Sequence, residues 1–191
     1  NVKGIFDSLY KCGTLVGRIM EIHPHGDSSV YSALCNMTNN YRGMNVPLLD
    51  AQGNMGKIHS TDPPSAMRYT KAKLSDVARD YLRDMSACNM IPSEEGEGFE
   101  PEVFPVRFPS ALINGTSGMG VSVSTSIPSF NMLDVINLTQ DIIKNGESNK
   151  LITPDFPTGG IIVKDDGELA KIMHTGKGKV KIRAKVEIQG K

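Results

Sequence analysis

The sequence contains no run of about 18 apolar residues, which excludes a membrane-spanning helix. It has no basic-then-apolar leader at its start, so export has no support. Cysteine is scarce, and Cys12, Cys35 and Cys88 are odd in number, widely spaced and without a CxxC pair. That indicates neither a disulfide framework nor a cysteine zinc site, and fits a reducing cytoplasm best. No internal repeat and no low-complexity tract is present. Net charge is missing as well: Lys plus Arg is 21 and Asp plus Glu is 21. Taken alone, that zero points away from a nucleic-acid binder.

The arrangement of charge says more than its sum. Residues 1–90 hold ten basic and eight acidic residues, 91–175 five and twelve, and 176–191 six and one. A weakly basic front, an acidic middle and a strongly basic end are thus segregated along the chain. The 191 residues, 39 % hydrophobic and 22 % charged, suffice for one generous domain or a domain plus part of another. A start at Asn1 and an end inside a basic period-2 pattern lead us to expect a piece of something longer.

Apolar spacing at Val30, Leu34 and Met37 predicts a helix over 27–39, capped by Asp27. A second helix is predicted over 71–87 from Leu74, Val77, Ala78, Tyr81, Leu82 and Met85. Between them, 50–65 is rich in Gly, Pro and Asn and predicts loop. Five glutamates over 94–102 predict a solvated connector, and 106–127 predicts short strands with tight turns. Asn131 and Gly146 bracket a helix over 132–144. A buried strand over 161–163, an Asp-Asp-Gly turn at 165–167 and a short helix over 168–174 follow. The alternation from Val180 to Ile188 predicts a final strand. Helices early and strands later make an α+β pattern, with a domain boundary near 105–109.

Three constellations could carry chemistry. His23-Pro24-His25-Gly26-Asp27 precedes a helix, and in extended chain its two histidines project to one side. Its order partly matches the HxHxDH motif of metallo-β-lactamase-like hydrolases, but Ser28 stands where a histidine belongs. The remaining histidines, His59 and His174, are too few for a binuclear zinc site. Contact of the imidazoles and helix amides with an anion such as phosphate is the other chemical reading, beside plain structure. In Ala66-Met67-Arg68-Tyr69-Thr70, the ordinary reading is a packed ring beside a surface charge. The chemical alternative is a tyrosine that attacks a phosphodiester while the arginine holds the phosphate. A phenol with a pKa of about 10 needs activation for this, yet phenolate leaves easily. The ester therefore conserves the reactivity of the broken bond. The third stretch, 114–120, has glycines dense enough for tight turns or close backbone approach. No Gly-Lys-Ser/Thr follows, so it is not a phosphate-binding Walker loop. Met119 there is either a core gap-filler or a wedge between base pairs.

In order and spacing, six stretches resemble the breakage-reunion subunit of type IIA DNA topoisomerases, the family of the DNA gyrase and topoisomerase IV A subunits. They are IHPHGDSSVY (22–31), LLDAQGNMGKI (48–58), AMRYT (66–70), LINGTSGMGVSVSTSIPSFN (112–131), PDFPTGG (154–160) and TGKGKVKIRAKVE (175–187). The resemblance implies a winged-helix (CAP-like) DNA-cleavage domain over 1–108, short of its N-terminal helices. The start of an α/β tower domain would follow over 109–191. It places Tyr69 as the nucleophile that joins the 5′ phosphate and Arg68 as the stabiliser of charge there. His23 and His25 match the paired histidines near the cleavage point, and Ser28 the quinolone-contacting serine. Ser32 stands where an acidic partner of that serine belongs, which argues against water–metal-bridged quinolone binding. Gln52, Gly53, Asn54 and Gly56 would lie in the loop adjoining the recognition helix, on which Asn36 replaces a basic residue. Met119 takes the place of an intercalating isoleucine. The implied activity is ATP-dependent double-strand cleavage, strand passage and religation. Double-stranded DNA is the substrate, and the enzyme is a cytoplasmic, nucleoid-associated A2B2 complex in which this subunit dimerises. Mg2+ and ATP would both be bound by the ATPase/Toprim partner subunit, so this chain is assigned no metal ligand and alone is expected to be inactive. Two rivals stand beside this: a non-cleaving architectural DNA binder, and a metallo-hydrolase at His23, His25 and Asp27.

Overall fold

The computed structural model describes residues 8–38, 44–57, 60, 62–93, 98–163 and 165–188. His59, the last residue of the predicted 27–39 helix and the glutamates at 94, 95 and 97 lie outside them. The chain forms mixed α and β structure in two compact units, Asn1–Phe108 and Pro109–Lys191.

In the first unit β1 (Tyr10–Lys11) leads directly into α1 (Cys12–Met20), followed by α2 (Asp27–Thr38) and β2 (Leu49–Gln52). Then come β3 (Lys71–Leu74), α3 (Asp76–Arg83), a single 3-10 turn at Met85–Ala87, β4 (Met90–Pro92) and β5 (Phe99–Pro101). The sheet order is β1-β3-β2, all antiparallel, with Ala72 opposite both Tyr10 and Ala51. Its inner face and the two helices enclose a core of Cys12, Leu15, Leu34, Cys35, Leu49, Met55 and Ala72. Burying each such leucine contributes about 1.5–3 kcal/mol, so this cluster is what holds α1 and α2 against the sheet.

Three expectations change here. The helix predicted over 71–87 is two elements. Lys71–Leu74 pairs with β1 and β2, and Ser75 then starts α3, its Oγ accepting from Ala78 N at 3.2 Å and donating to Pro47 O at 3.0 Å. Asp27 does not cap α2 but is its first residue. The Ser29 and Val30 amides donate to Gly26 O, and Asp27 Oδ1 accepts from the Ser28 amide at 2.7 Å. Part of the connector is strand: Phe99–Pro101 pairs with Met90–Pro92, and the Ser93 amide donates to Gly98 O.

The second unit runs through α4 (Ser110–Ile113), the hairpin β6 (Thr116–Gly120) and β7 (Val123–Ile127), and α5 (Met132–Asn145). It continues with β8 (Ile161–Val163), α6 (Asp166–Thr175) and β9 (Lys181–Arg183). Thus the predicted strand region 106–127 includes a helical turn. Asn131 Oδ1 accepts from Leu133 N at 3.0 Å, and Gly146 closes α5 in a left-handed conformation with φ 82°. Losing that cap in Asn131→Ala is expected to lower the unfolding free energy by about 1 kcal/mol, read as a lower urea midpoint at unchanged slope. At 165–167 the predicted turn is absorbed into the helix start, Asp165 capping α6 through Glu168 N at 3.1 Å. The strand predicted to be buried, β8, is only half covered. The final strand is confined to Lys181–Arg183, and Val186 and Ile188 lie exposed beyond it.

Candidate active site

Arg68 and Tyr69 lie on a short segment whose two ends are tied to the fold. Pro63 and Pro64 keep the approach out of helix; a turn then closes with the Tyr69 amide donating to Ala66 O at 2.9 Å. The Ser65 amide donates to Asn54 O, while the Cys12 and Gly13 amides donate to Thr70 O and Met67 O at 2.9 and 3.2 Å. Those two amides belong to the first turn of α1, where the helix itself offers them no acceptor. Thr70 is completely buried, yet its neighbour Tyr69 is 67 % exposed. The Arg68 guanidinium carbon lies 4.7 Å from the centre of the Tyr69 ring, a cation–π contact worth about 0.5–1 kcal/mol at an exposed site. A phenol is thus presented to solvent with a cation stacked on it.

Gly53 passes beneath this segment with φ 108°. A Cβ there would lie 3.1 Å from Thr70 Cγ2, 3.2 Å from Tyr69 O and 3.3 Å from Thr70 Cα. Only a glycine lets the two backbones approach this closely. Asn54 holds the loop that follows, its Oδ1 accepting from Gly56 N at 2.9 Å and its Nδ2 donating to Pro63 O at 3.3 Å.

Two residues that the sequence did not single out complete the frame. The Tyr31 hydroxyl, on α2, is 2.6 Å from Ser65 O and 2.9 Å from Thr70 Oγ1. Burial pushes its pKa up to about 12, with the Thr70 hydroxyl opposing the shift, so it stays protonated and able to donate. Tyr31 and Thr70 each end one of the six family-like stretches, but no spacing rule indicates that they meet.

His23 and His25 come together with ring centroids 4.1 Å apart. Extended chain is not what aligns them. The His25 amide donates to His23 O at 2.8 Å, a three-residue turn around Pro24. With Val30, Met37, Leu49 and Leu74 they border an open, mainly apolar depression of about 530 Å3. Ser28 and Ser32 are exposed on α2. Among the described residues no three His, Cys, Asp or Glu side chains converge as a metal site, and His23, His25 and Asp27 do not form one. Met119, in the second unit, is 92 % exposed, and in the turn of the β6–β7 hairpin Val121 is 97 % exposed. Met119 therefore fills no gap in the core that the described residues form.

Residues 6–191 match the family model for the A subunit of DNA gyrase/topoisomerase IV. The chain belongs to that family. It is 39 % identical to a DNA gyrase A subunit of Kosmotoga olearia over 95 % of this chain and 23 % of that protein. It is 41 % identical to a DNA topoisomerase 4 A subunit of Staphylococcus epidermidis over 93 % of this chain and 23 % of the relative. A DNA topoisomerase 4 A subunit of Caulobacter vibrioides is 39 % identical over 93 % of the chain and 24 % of its own length. The chain therefore spans about a quarter of the length of these curated relatives. Among its described residues no helix is long and apolar enough to cross a membrane.

Proposed function

We propose that the chain is the DNA-cleaving part of a type IIA topoisomerase subunit, with Tyr69 as nucleophile. One observation carries this reading: an exposed phenol with an arginine on its face, projected from a segment whose next residue, Thr70, is buried and whose backbone is hydrogen-bonded to α1 and to Asn54. A merely structural tyrosine has no use for that presentation, and a non-cleaving DNA binder has no use for the pair. The Tyr69 oxygen attacks the phosphorus of a DNA phosphodiester, and the bond from phosphorus to the 3′ oxygen breaks. The phenol gives its proton to water, and the 3′ oxygen takes one up. One phosphoester replaces another, so religation is the same exchange run backwards. Arg68 offsets the charge that develops on the phosphate oxygens, a contribution of about 3–4 kcal/mol for a well-placed donor at a transition state.

In this reading the first unit is the winged-helix domain, with α2 as its recognition helix, and the second begins the tower. His23, His25 and Ser28 contact DNA beside the cut. Met119 is the wedge that bends the duplex, which favours deformable base steps over base-edge readout. Mg2+ and ATP belong to an ATPase/Toprim partner subunit. Two copies of the chain, each with one Tyr69, cut the two strands in an A2B2 assembly.

The test is the chemistry of the link. With the full-length subunit reassembled with its partner, cleavage is trapped by detergent and the adduct is digested. The DNA is expected on the peptide containing Tyr69, joined through a 5′ phosphate. A 3′ linkage, or a different residue, would overturn the assignment.

A further inference from the structure

Two contacts of the Tyr31 hydroxyl reach the 65–70 segment, and chemistry fixes their direction. A carbonyl oxygen only accepts, so the single Tyr31 proton goes to Ser65 O at 2.6 Å. Thr70 Oγ1, at 2.9 Å, is then the donor to the Tyr31 oxygen. One phenol oxygen thereby joins the two ends of the segment 65–70, and Arg68 and Tyr69 lie between its anchors. Tyr31 is 34 residues from the first anchor and 39 from the second. The clasp is thus a tertiary feature and not part of the turn itself. Tyr31 belongs to α2, one turn beyond Ser28, so a displacement of that helix reaches the segment directly.

We propose that Tyr31 is a positioning residue for Tyr69, clasping both ends of the 65–70 segment so that the Tyr69 oxygen is held at the geometry in-line attack requires. This rests on Tyr69 being the nucleophile. A misplacement of about 1 Å costs on the order of 100-fold in such a step, which sets the scale of the effect. Tyr31 touches no reacting atom. Its loss acts on the rate of cleavage and leaves the DNA-contacting groups in place.

The experiment is single-turnover cleavage by the full-length subunit with its partner, beside equilibrium DNA affinity on the same duplex. Tyr31→Phe is expected to slow adduct formation about 10- to 100-fold, with the affinity within about twofold of wild type. Thr70→Val keeps the size of Thr70 but removes its hydroxyl, and is expected to slow cleavage in the same manner. Thr70→Ser, which keeps the hydroxyl, restores the rate. Because the two groups share one bond, Tyr31→Phe with Thr70→Val is expected to be no slower than Tyr31→Phe alone. Should Tyr31→Phe fail to fold, the Val and Ser variants of Thr70 decide alone. Cleavage at the wild-type rate in Tyr31→Phe and Thr70→Val overturns the proposal, and so does a parallel loss of affinity and rate. The failure of the underlying reading looks different: Tyr69→Phe would then cleave as well as wild type.

Discussion

Tyr69→Phe is expected to form no covalent DNA adduct, a loss on the order of 10⁴-fold or more, as removal of an attacking group produces elsewhere. The substitution removes one oxygen and little else. The phenyl ring remains, so the guanidinium of Arg68, 4.7 Å from the ring centre, keeps its stacking surface. The ring is two-thirds exposed, and its hydroxyl is not among the groups that tie the 65–70 segment to the fold. Thermal stability is therefore expected within about 0.5 kcal/mol of wild type, as for surface changes elsewhere. DNA affinity, dominated by phosphate contacts and their salt dependence, is expected within about twofold. Denaturing gels of trapped cleavage mixtures measure the first quantity and fluorescence anisotropy the last. An adduct of wild-type yield in Tyr69→Phe would assign the nucleophile elsewhere.

Gly53→Ala is expected to damage the same site from beneath. At φ 108° a residue with a side chain is strained, at about 1–3 kcal/mol. Two of the three atoms its Cβ would meet are backbone atoms of Tyr69 and Thr70. Backbone cannot swing aside as the tip of a side chain can. The Tyr69–Thr70 segment must shift by a few tenths of an ångström or Gly53 must retreat from it. A lower melting temperature is expected, together with cleavage about 100-fold slower in the molecules that remain folded. Gly17→Ala, in α1 where an added Cβ meets nothing within 4 Å, is the control and is expected to leave cleavage unchanged and to raise the melting temperature slightly, alanine being favoured over glycine in a helix by about 0.5–1 kcal/mol. Wild-type melting and cleavage in Gly53→Ala would mean that the close approach does not constrain Tyr69.

At α5 sequence and structure agree, and there the cause is local. Asn131 and Gly146 bound α5 because a cap is made within three residues of the helix end. Arg68 and Tyr69 were legible as a pair because they are adjacent. Disagreement follows the long-range contacts. Lys71–Leu74 fits a helical stripe as well as a strand, and β1 and β2, far away in the chain, decide for the strand. Helix α1 carries Cys12, Leu15, Val16 and Ile19 at helical spacing. Gly13 and Gly17 weaken the signal, and packing on the sheet restores it. The period-2 pattern over 180–188 is the cleanest in the sequence, yet only Lys181–Arg183 is paired. Alternation shows that a strand is compatible with the residues, while a partner strand decides whether it forms.

By itself the sequence determined the chemistry available. It dispensed with disulfides and a spanning helix, put a phenol next to a guanidinium at 68–69, and segregated charge behind a formal net of zero. Tertiary structure decided how that phenol is presented. Thr70 is sealed in while Tyr69 is left out, and Gly53, Cys12 and Tyr31 reach the same six-residue segment from three separate parts of the chain. Side-chain type is a property of one position and is written there. Exposure, a close approach and a hydrogen bond across 39 residues belong to pairs of positions, and only a folded chain brings those pairs together.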